Sequence, residues 1–188
     1  DITSALIGIE GFGNVGSFAF KFLSERGARI VAVADSKGTA YLPEGLSYEE
    51  AVVAKKETGS VAGYSGAHRV SHEEIFGLDI DILIPATVTD VITDKNKDSI
   101  KARLIVEGAN IPMSEKIEEE LVSRGMWVVP DFVANAGGVI SSYAEYRGMN
   151  SDEMFSLIDE KVSSATRQIM MRSIVEKRSA RAVGIEIA

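Results

Sequence analysis

The sequence predicts an α/β fold: a three-layer, doubly wound, mostly parallel sheet with helices on both faces and further helices towards the C-terminus. Two observations predict it. Short β-branched apolar runs alternate with amphipathic stretches of helix length, the mark of buried parallel strands joined by crossover helices. Glycine or proline punctuates the runs, as at Gly27, Pro85, Gly125 and Pro130, where a helix or strand must stop.

The elements follow in order. ALIGI, residues 5–9, reads as a buried strand ending at glycines. Val15, Phe18, Ala19, Phe22 and Leu23 then recur at helical spacing, and Gly27 closes that helix. RIVAVAD, 29–35, is a second buried strand. The polar excursion SKGTAYLPEG follows. Ser47 with Glu50 then forms an S-x-x-E capping box at the start of the next helix. IDILIPA (80–86), RLIVEGA (103–109) and MWVVPD (126–131) are the third, fourth and fifth strands. Between the last two, Ser114 caps a helix through Arg124 that turns Ile117 and Leu121 inward. Helical stretches at 135–147 and 151–175 complete the chain, with Ile158, Val162, Ala165 and Ile169 on one face of the second.

Composition narrows the function classes. The 188 residues fit one domain of ordinary size, and 45 % hydrophobic residues suffice for a full core. Twenty basic residues against 28 acidic ones, net −8, argue against a nucleic-acid partner, which needs a basic stripe. With no cysteine there is no disulfide, thiol nucleophile or thiolate metal site. His68 and His72 stand four apart, but SGAHRVSHEE lacks a helical apolar stripe. Both histidines read as surface or loop residues, and no metal is expected. No apolar run reaches the ~18 residues of a membrane span, so no membrane partner is expected, and DITSALIGIE has no basic segment of a signal peptide. The chain does not begin with Met and enters a strand within a few residues, so the expectation is part of a longer protein.

In a doubly wound sheet, ligands bind outside the C-terminal ends of the strands, where the winding direction switches. The polar signals fall at those ends. Gly11, Gly13 and Gly16 form a G-x-G-x-x-G after the first strand and open a helix, and Asp35 ends the next strand 19 residues after Gly16. That context favours a dinucleotide cradle over an ordinary structural turn. Gly11 permits the tight turn, Gly13 lets the backbone approach a pyrophosphate, and Gly16 permits close helix–strand packing. Asp35 has the position to accept from an adenosine ribose, which leans towards NAD over NADP, although Ser36 and Lys37 follow as possible donors to a 2′-phosphate. PAT (85–87), EGAN (107–110) and DFVANAGG (131–138) place small and polar residues at the later strand ends. The amides of Asn110 and Asn135 carry the donors and acceptors to fix a carboxamide, or serve as helix caps; the residues alone leave both open.

GFGNVG, VADSKGTAYLPEGL, DIDILIPAT, IVEGAN and VVPDFVANAGGVISSYAEY occur in this order. Together they resemble the cofactor-binding domain of glutamate dehydrogenases, within the wider glutamate/leucine/phenylalanine/valine dehydrogenase superfamily. The resemblance implies a modified Rossmann fold with one strand against the others, spanning 1–150, followed by a C-terminal helical segment, 151–188. It implies NAD- or NADP-dependent oxidation of L-glutamate to 2-oxoglutarate and ammonia by a full-length, cytoplasmic homo-oligomer, a hexamer. By that resemblance Gly11, Phe12, Gly13, Asn14, Val15 and Gly16 match the pyrophosphate loop. Asp35 and Ser36 match the adenosine-ribose position, Ala86 and Thr87 the segment beside the cofactor ribose, and Asn110 and Asn135 the nicotinamide neighbours. Val139 and Ser142 match residues that hold the substrate side chain. The family's lysine and aspartate for proton transfer belong to an N-terminal substrate domain, and no catalytic residue is assigned in this chain. Lys37, Lys55, Lys56 and Lys95 all stand in polar segments. Cofactor binding without glutamate oxidation is therefore expected of these residues. The alternatives are the same domain of a leucine, phenylalanine or valine dehydrogenase, and a non-catalytic nucleotide-binding regulatory module. Three departures stand out: Glu10 where relatives carry an amide, ATVTDVI after the third strand, and IPM after Asn110 where small residues are usual. Residues 176–188 resemble the start of a longer helix, and are expected to fray or to dock elsewhere.

Overall fold

A computed structural model describes residues 2–187. In chain order its elements are β1 (Leu6–Glu10), α1 (Asn14–Glu25), β2 (Arg29–Asp35), β3 (Gly38–Tyr41), α2 (Tyr48–Thr58), β4 (His68–Val70), β5 (Ile82–Pro85), β6 (Leu104–Val106), α3 (Glu115–Ser123), β7 (Trp127–Val129), α4 (Asp131–Ala134), α5 (Gly137–Tyr146), α6 (Ser151–Glu176) and α7 (Ala180–Ile187). Short 3₁₀ turns at Val61–Gly63, Glu73–Gly77 and Lys97–Ser99 fill the connections.

The strands form one seven-stranded sheet in the order β4-β3-β2-β1-β5-β6-β7. β1 pairs in parallel with β2 and β5, and β5, β6 and β7 continue in parallel. β3 pairs antiparallel with both β2 and β4, so one strand runs against the other six. The winding starts at β1, moves outward through β2 to β4, and returns to the other side of β1 at β5. The switch-point crevice therefore opens between the C-terminal ends of β1 and β5.

Alternation along the strands sends side chains to two faces. On one, Val31, Leu83, Ile105 and Val128 meet Ile75, Phe76, Ile92, Met113, Ile117 and Leu121. On the other, Ile7, Ile9, Ile30 and Val33 meet Phe20 of α1 and Ala51 and Ala54 of α2. Beyond them Val129 packs with Val133, Ile169 and Val183 of α4, α6 and α7. Among the described residues no helix is long and apolar enough to cross a membrane.

Several local expectations are corrected. The stretch after Asp35 is no excursion: Ser36 and Lys37 are the two-residue turn of a hairpin in which Asp35 pairs with Gly38. The helical stripe of α1 is rotated. Phe20 is fully buried, while Val15, Phe18 and Phe22 are exposed, and Phe18 stacks on Phe22. Asn14, Ser17, Lys21, Ser24 and Glu25 share one polar face, and the apolar arc opposite them is wider than the face that packs, so the spacing alone did not say which part of it is buried. The capping box of α2 is half made. Ser47 Oγ accepts from the Glu50 N–H, but the Ser47 N–H goes to the Tyr64 hydroxyl at 2.9 Å and not to Glu50. Residues 180–187 dock as α7, with Ala180 and Val183 buried.

Candidate functional site

Four strand ends converge at one rim. Gly11 follows β1 with φ +125°, a conformation open to glycine, and a Cβ there would lie 2.8 Å from Thr87 Cγ2 and 2.9 Å from the Ala86 carbonyl. The loops after β1 and β5 are thus in contact across the crevice. Gly108, after β6, lies against Pro85, Val15 and Ala86. Phe12 is an anchor into the core, edge-on to Phe20 with centroids 6.3 Å apart.

The three fingerprint glycines differ in what they do for the chain itself. A Cβ at Gly16 would sit 2.0 Å from the Gly11 carbonyl oxygen, so α1 reaches the loop only because residue 16 has no side chain. Gly13 is the opposite case. Its φ of −87° and ψ of −160° suit any residue, and a Cβ there would meet nothing within 4 Å. Nothing in the fold asks for glycine at 13. Helix α1 also begins without a side-chain cap or an acidic residue in its first turn, whereas Ser47, Ser114 and Asn150 cap α2, α3 and α6. The amides of Asn14, Val15 and Gly16 are left for an external acceptor.

Asp35 ends β2 as the sequence indicated, but its carboxylate faces inward. Oδ1 accepts from the Lys37 N–H and Ser60 Oγ, each at 2.9 Å. Oδ2 accepts from the Val61 N–H at 2.9 Å and Lys55 Nζ at 2.7 Å. Burial alone would raise its pKa; the Lys55 ammonium and the three other donors outweigh that and hold it below the usual carboxylate value. A carboxylate with four donors has no lone pair to spare. The lean towards NAD rested on a free carboxylate there and has no support in this geometry. Ser36 and Lys37 are exposed beside it.

Glu10, the last residue of β1, is fully buried. It accepts from Thr87 Oγ1 through both oxygens, at 2.8 and 2.7 Å, and lies 2.7 Å from His72 Nε2. Burial pushes its pKa up, partly offset by those two partners. His72 is therefore no surface residue: it turns inward to the switch point. The sequence marked Glu10 only as a departure from a pattern, and the 62 residues to His72 hid the pair.

At the far side of the rim, Asn135 Nδ2 donates to Asn110 Oδ1 at 2.7 Å. The bond uses neither the Asn110 amino group nor the Asn135 side-chain carbonyl oxygen, one donor and one acceptor. Val139 and Ser142 stand on α5 just beyond, both exposed; Ser142 Oγ donates back to the Gly138 carbonyl at 3.3 Å. Beneath the asparagines lies a buried cluster of Glu107, Glu118 and Asp131 around the single guanidinium of Arg181. Burial, and the Glu118 and Asp131 charges beside it, push Glu107 up to about 7 against the Asp131 N–H and Arg181. No local pattern marks this cluster in the chain, because Arg181 lies 74 residues from Glu107. Lys97 is a buried lysine, but Asp94 and Glu120 pair with it and raise its pKa, the reverse of what a basic catalyst needs.

Comparison with known proteins gives a consistent outcome. The family model for glutamate/leucine/phenylalanine/valine dehydrogenase matches residues 1–184. The chain is 44 % identical over 170 residues to a glutamate dehydrogenase of Aeropyrum pernix, covering 87 % of this chain and 41 % of that one. It is 45 % identical over 148 residues to an NADP-specific glutamate dehydrogenase of Saccharolobus shibatae, covering 79 % of this chain and 35 % of that one. Among solved structures, the hetero-hexameric glutamate dehydrogenase of Thermus thermophilus in its Leu-bound form superposes with a TM-score of 0.85 at 27 % identity, over 98 % of this chain and 45 % of that one. The chain thus spans less than half the length of these relatives.

Proposed function

Because the chain belongs to the glutamate/leucine/phenylalanine/valine dehydrogenase family, we propose that its rim is the nicotinamide-dinucleotide site of a glutamate dehydrogenase. Gly13 carries this reading. A glycine that the fold does not need, beside an uncapped helix start, is explained by a phosphate brought close to the backbone. The surrounding residues fit the same ligand from end to end.

In this reading Gly11 turns the chain, and Gly13 with the amides of Asn14, Val15 and Gly16 receives the pyrophosphate. Asp35 shapes the β2–β3 turn and so presents Ser36 and Lys37 to the adenosine ribose, an arrangement that suits NADP no less than NAD. Ala86 and Thr87 flank the other ribose. The free donor of Asn110 and free acceptor of Asn135 match a carboxamide, which offers one acceptor and one donor. When bound, the nicotinamide supplies hydride transfer; the chain's own contribution is to orient the ring and keep one face towards the amino acid. Val139 and Ser142 lie where a glutamate side chain approaches, Ser142 donating to its distal carboxylate.

We assign the proton-transfer groups of the complete reaction to a part of the protein outside these 188 residues, a reading supported by the pairing of Lys97, the buried lysine among the described residues, with Asp94 and Glu120. The whole enzyme is read as an oligomer acting on L-glutamate and 2-oxoglutarate. The test is calorimetric titration of the chain with NADH and NADPH in parallel, with a glutamate oxidation assay. Binding of at least one nucleotide without turnover is expected. Absence of binding to both overturns the cofactor assignment, and steady turnover overturns the division of labour.

A further inference from the structure

The asparagine pair is held from below by one residue. Asp131 Oδ2 accepts the Ile111 N–H at 3.0 Å, and the Asp131 carbonyl accepts the Asn135 N–H at 2.9 Å. One aspartate therefore fixes the backbone on both sides of the Asn110–Asn135 bond. Ile111 has φ +46°, a left-handed conformation that a β-branched residue rarely adopts. Such a conformation persists only where its surroundings enforce it. Besides the Asp131 carboxylate, the Asp90 N–H bonds the Ile111 carbonyl at 3.0 Å.

Asp131 is itself anchored by α7. Arg181 Nη2 lies 3.1 Å from Asp131 Oδ1 and donates to Glu107 Oε2 at 2.8 Å, while Nε donates to Glu118. The same Glu107 oxygen accepts the Asp131 N–H at 2.8 Å. The guanidinium also lies over the Phe132 ring, 5.6 Å from its centroid. Gly184 lets α7 approach that ring, because a Cβ there would be 2.7 Å from it. Glu107 Oε1, Glu118 Oε1 and Asp131 Oδ1 have no hydrogen-bond partner, and the Arg181–Asp131 contact is an ion pair; the guanidinium is the cation on which three buried carboxylates converge. The planar guanidinium spreads its donors over Nε and Nη2 in fixed directions, whereas an ammonium is a compact point charge without that fork.

We propose that Arg181 is a positioning residue for the nicotinamide end of the cofactor, setting the placement of Asn110 and Asn135 through Asp131. The inference rests on the functional reading above. It predicts an effect confined to one end of the ligand, because among the described residues no hydrogen bond or ion pair joins Glu107, Glu118, Asp131 or Arg181 to the pyrophosphate loop or the β2–β3 turn.

The test compares NADH with ADP-ribose, which lacks the nicotinamide, by calorimetry on the chain and on Arg181→Lys. The variant keeps the charge and loses the fork. NADH affinity is expected to fall up to about tenfold, the worth of one neutral hydrogen bond, with ADP-ribose affinity unchanged. Glu118→Gln, whose carboxamide can still accept from Arg181 Nε and so keeps the fork in place, shifts the thermal midpoint and leaves the NADH to ADP-ribose ratio as it was. Parallel loss of both ligands, or loss of neither, overturns the proposal. Wild-type chain that binds both ligands equally also overturns it, while leaving the dinucleotide assignment standing; wild-type chain that binds neither overturns both. If Arg181→Lys does not fold, Asp131→Asn replaces it, because the carboxamide can still accept from Ile111 but no longer pairs with Arg181, and the same change in ratio is expected.

Discussion

Lys55 closes over the carboxylate of Asp35, with Nζ 2.7 Å from Oδ2. The pair joins the end of β2 to α2, and Ser60 and Val61 complete the enclosure. Asp35→Asn removes the charge that these donors share and should cost about 2 kcal/mol at neutral pH, the range for hydrogen bonds to a charged group. The folded pKa lies below the unfolded one, so this stabilisation is fully present above the unfolded value of about 4 and is lost as pH falls through the folded value. Denaturant unfolding at pH 7 and pH 3 checks it: the gap between wild type and variant narrows in acid. A gap independent of pH contradicts the assignment.

Gly13 and Gly16 separate binding from folding. Gly13→Ala adds a methyl group in open space, so stability should change by no more than about 1 kcal/mol, the difference between glycine and alanine as helix caps. Dinucleotide affinity should fall tenfold or more, on the order of one lost charge-assisted contact. Gly16→Ala drives a Cβ into the Gly11 carbonyl and should cost about 3 kcal/mol, at the upper end for overpacking. Thermal unfolding with nucleotide titration reads both. Equal effects at the two positions contradict the distinction.

Glu107 makes stability fall as pH rises. Its folded pKa is pushed up to about 7 from 4.5, so the folded state holds a proton that the unfolded chain releases. Its contribution is complete below the unfolded value and is lost as pH rises through the folded value, between about 4.5 and 7. Glu107→Gln, which cannot ionise, should flatten the stability profile across that window. A variant profile parallel to wild type contradicts this reading.

Ile111→Gly tests the left-handed turn. Glycine removes the conformational strain of about 1–2 kcal/mol but adds unfolded-state freedom of about 0.5–1 kcal/mol. The half-exposed side chain gives up some burial. The midpoint of unfolding should therefore stay within about 1 kcal/mol of wild type, where a fully buried isoleucine would lose about 2–5 kcal/mol on truncation. A loss in that larger range would mean that Ile111 packs rather than strains.

The sequence carried the fold through its long, uniform signals. β2 was legible at 29–35 because six buried residues in a row, Ile30 to Asp35, follow one another without a helical break, and Ser114 and Gly125 bounded α3 by local chemistry. β3 and β4, of four and three residues, were not legible, since Thr39 and Arg69 carry no apolar alternation and the strands exist by pairing with each other and with β2. The rim glycines and both asparagines were readable by position at strand ends. Their supports were not. Glu10 with His72, and Asp131 with Arg181, are pairs that only the winding of the sheet brings together, and neither partner signals the other in the chain.

Asp131 accepts the Ile111 N–H with its carboxylate and the Asn135 N–H with its carbonyl, so both bonds that frame that corner end on main-chain N–H groups and neither uses the two side chains it displays. Frame and lettering are separable. Positions 110 and 135 can be rewritten, amide to hydroxyl or carboxylate, while the loops keep their course. Under the proposed function, that makes this corner a place to re-aim the protein at altered nicotinamide rings by changing two residues, with the buried cluster left as found.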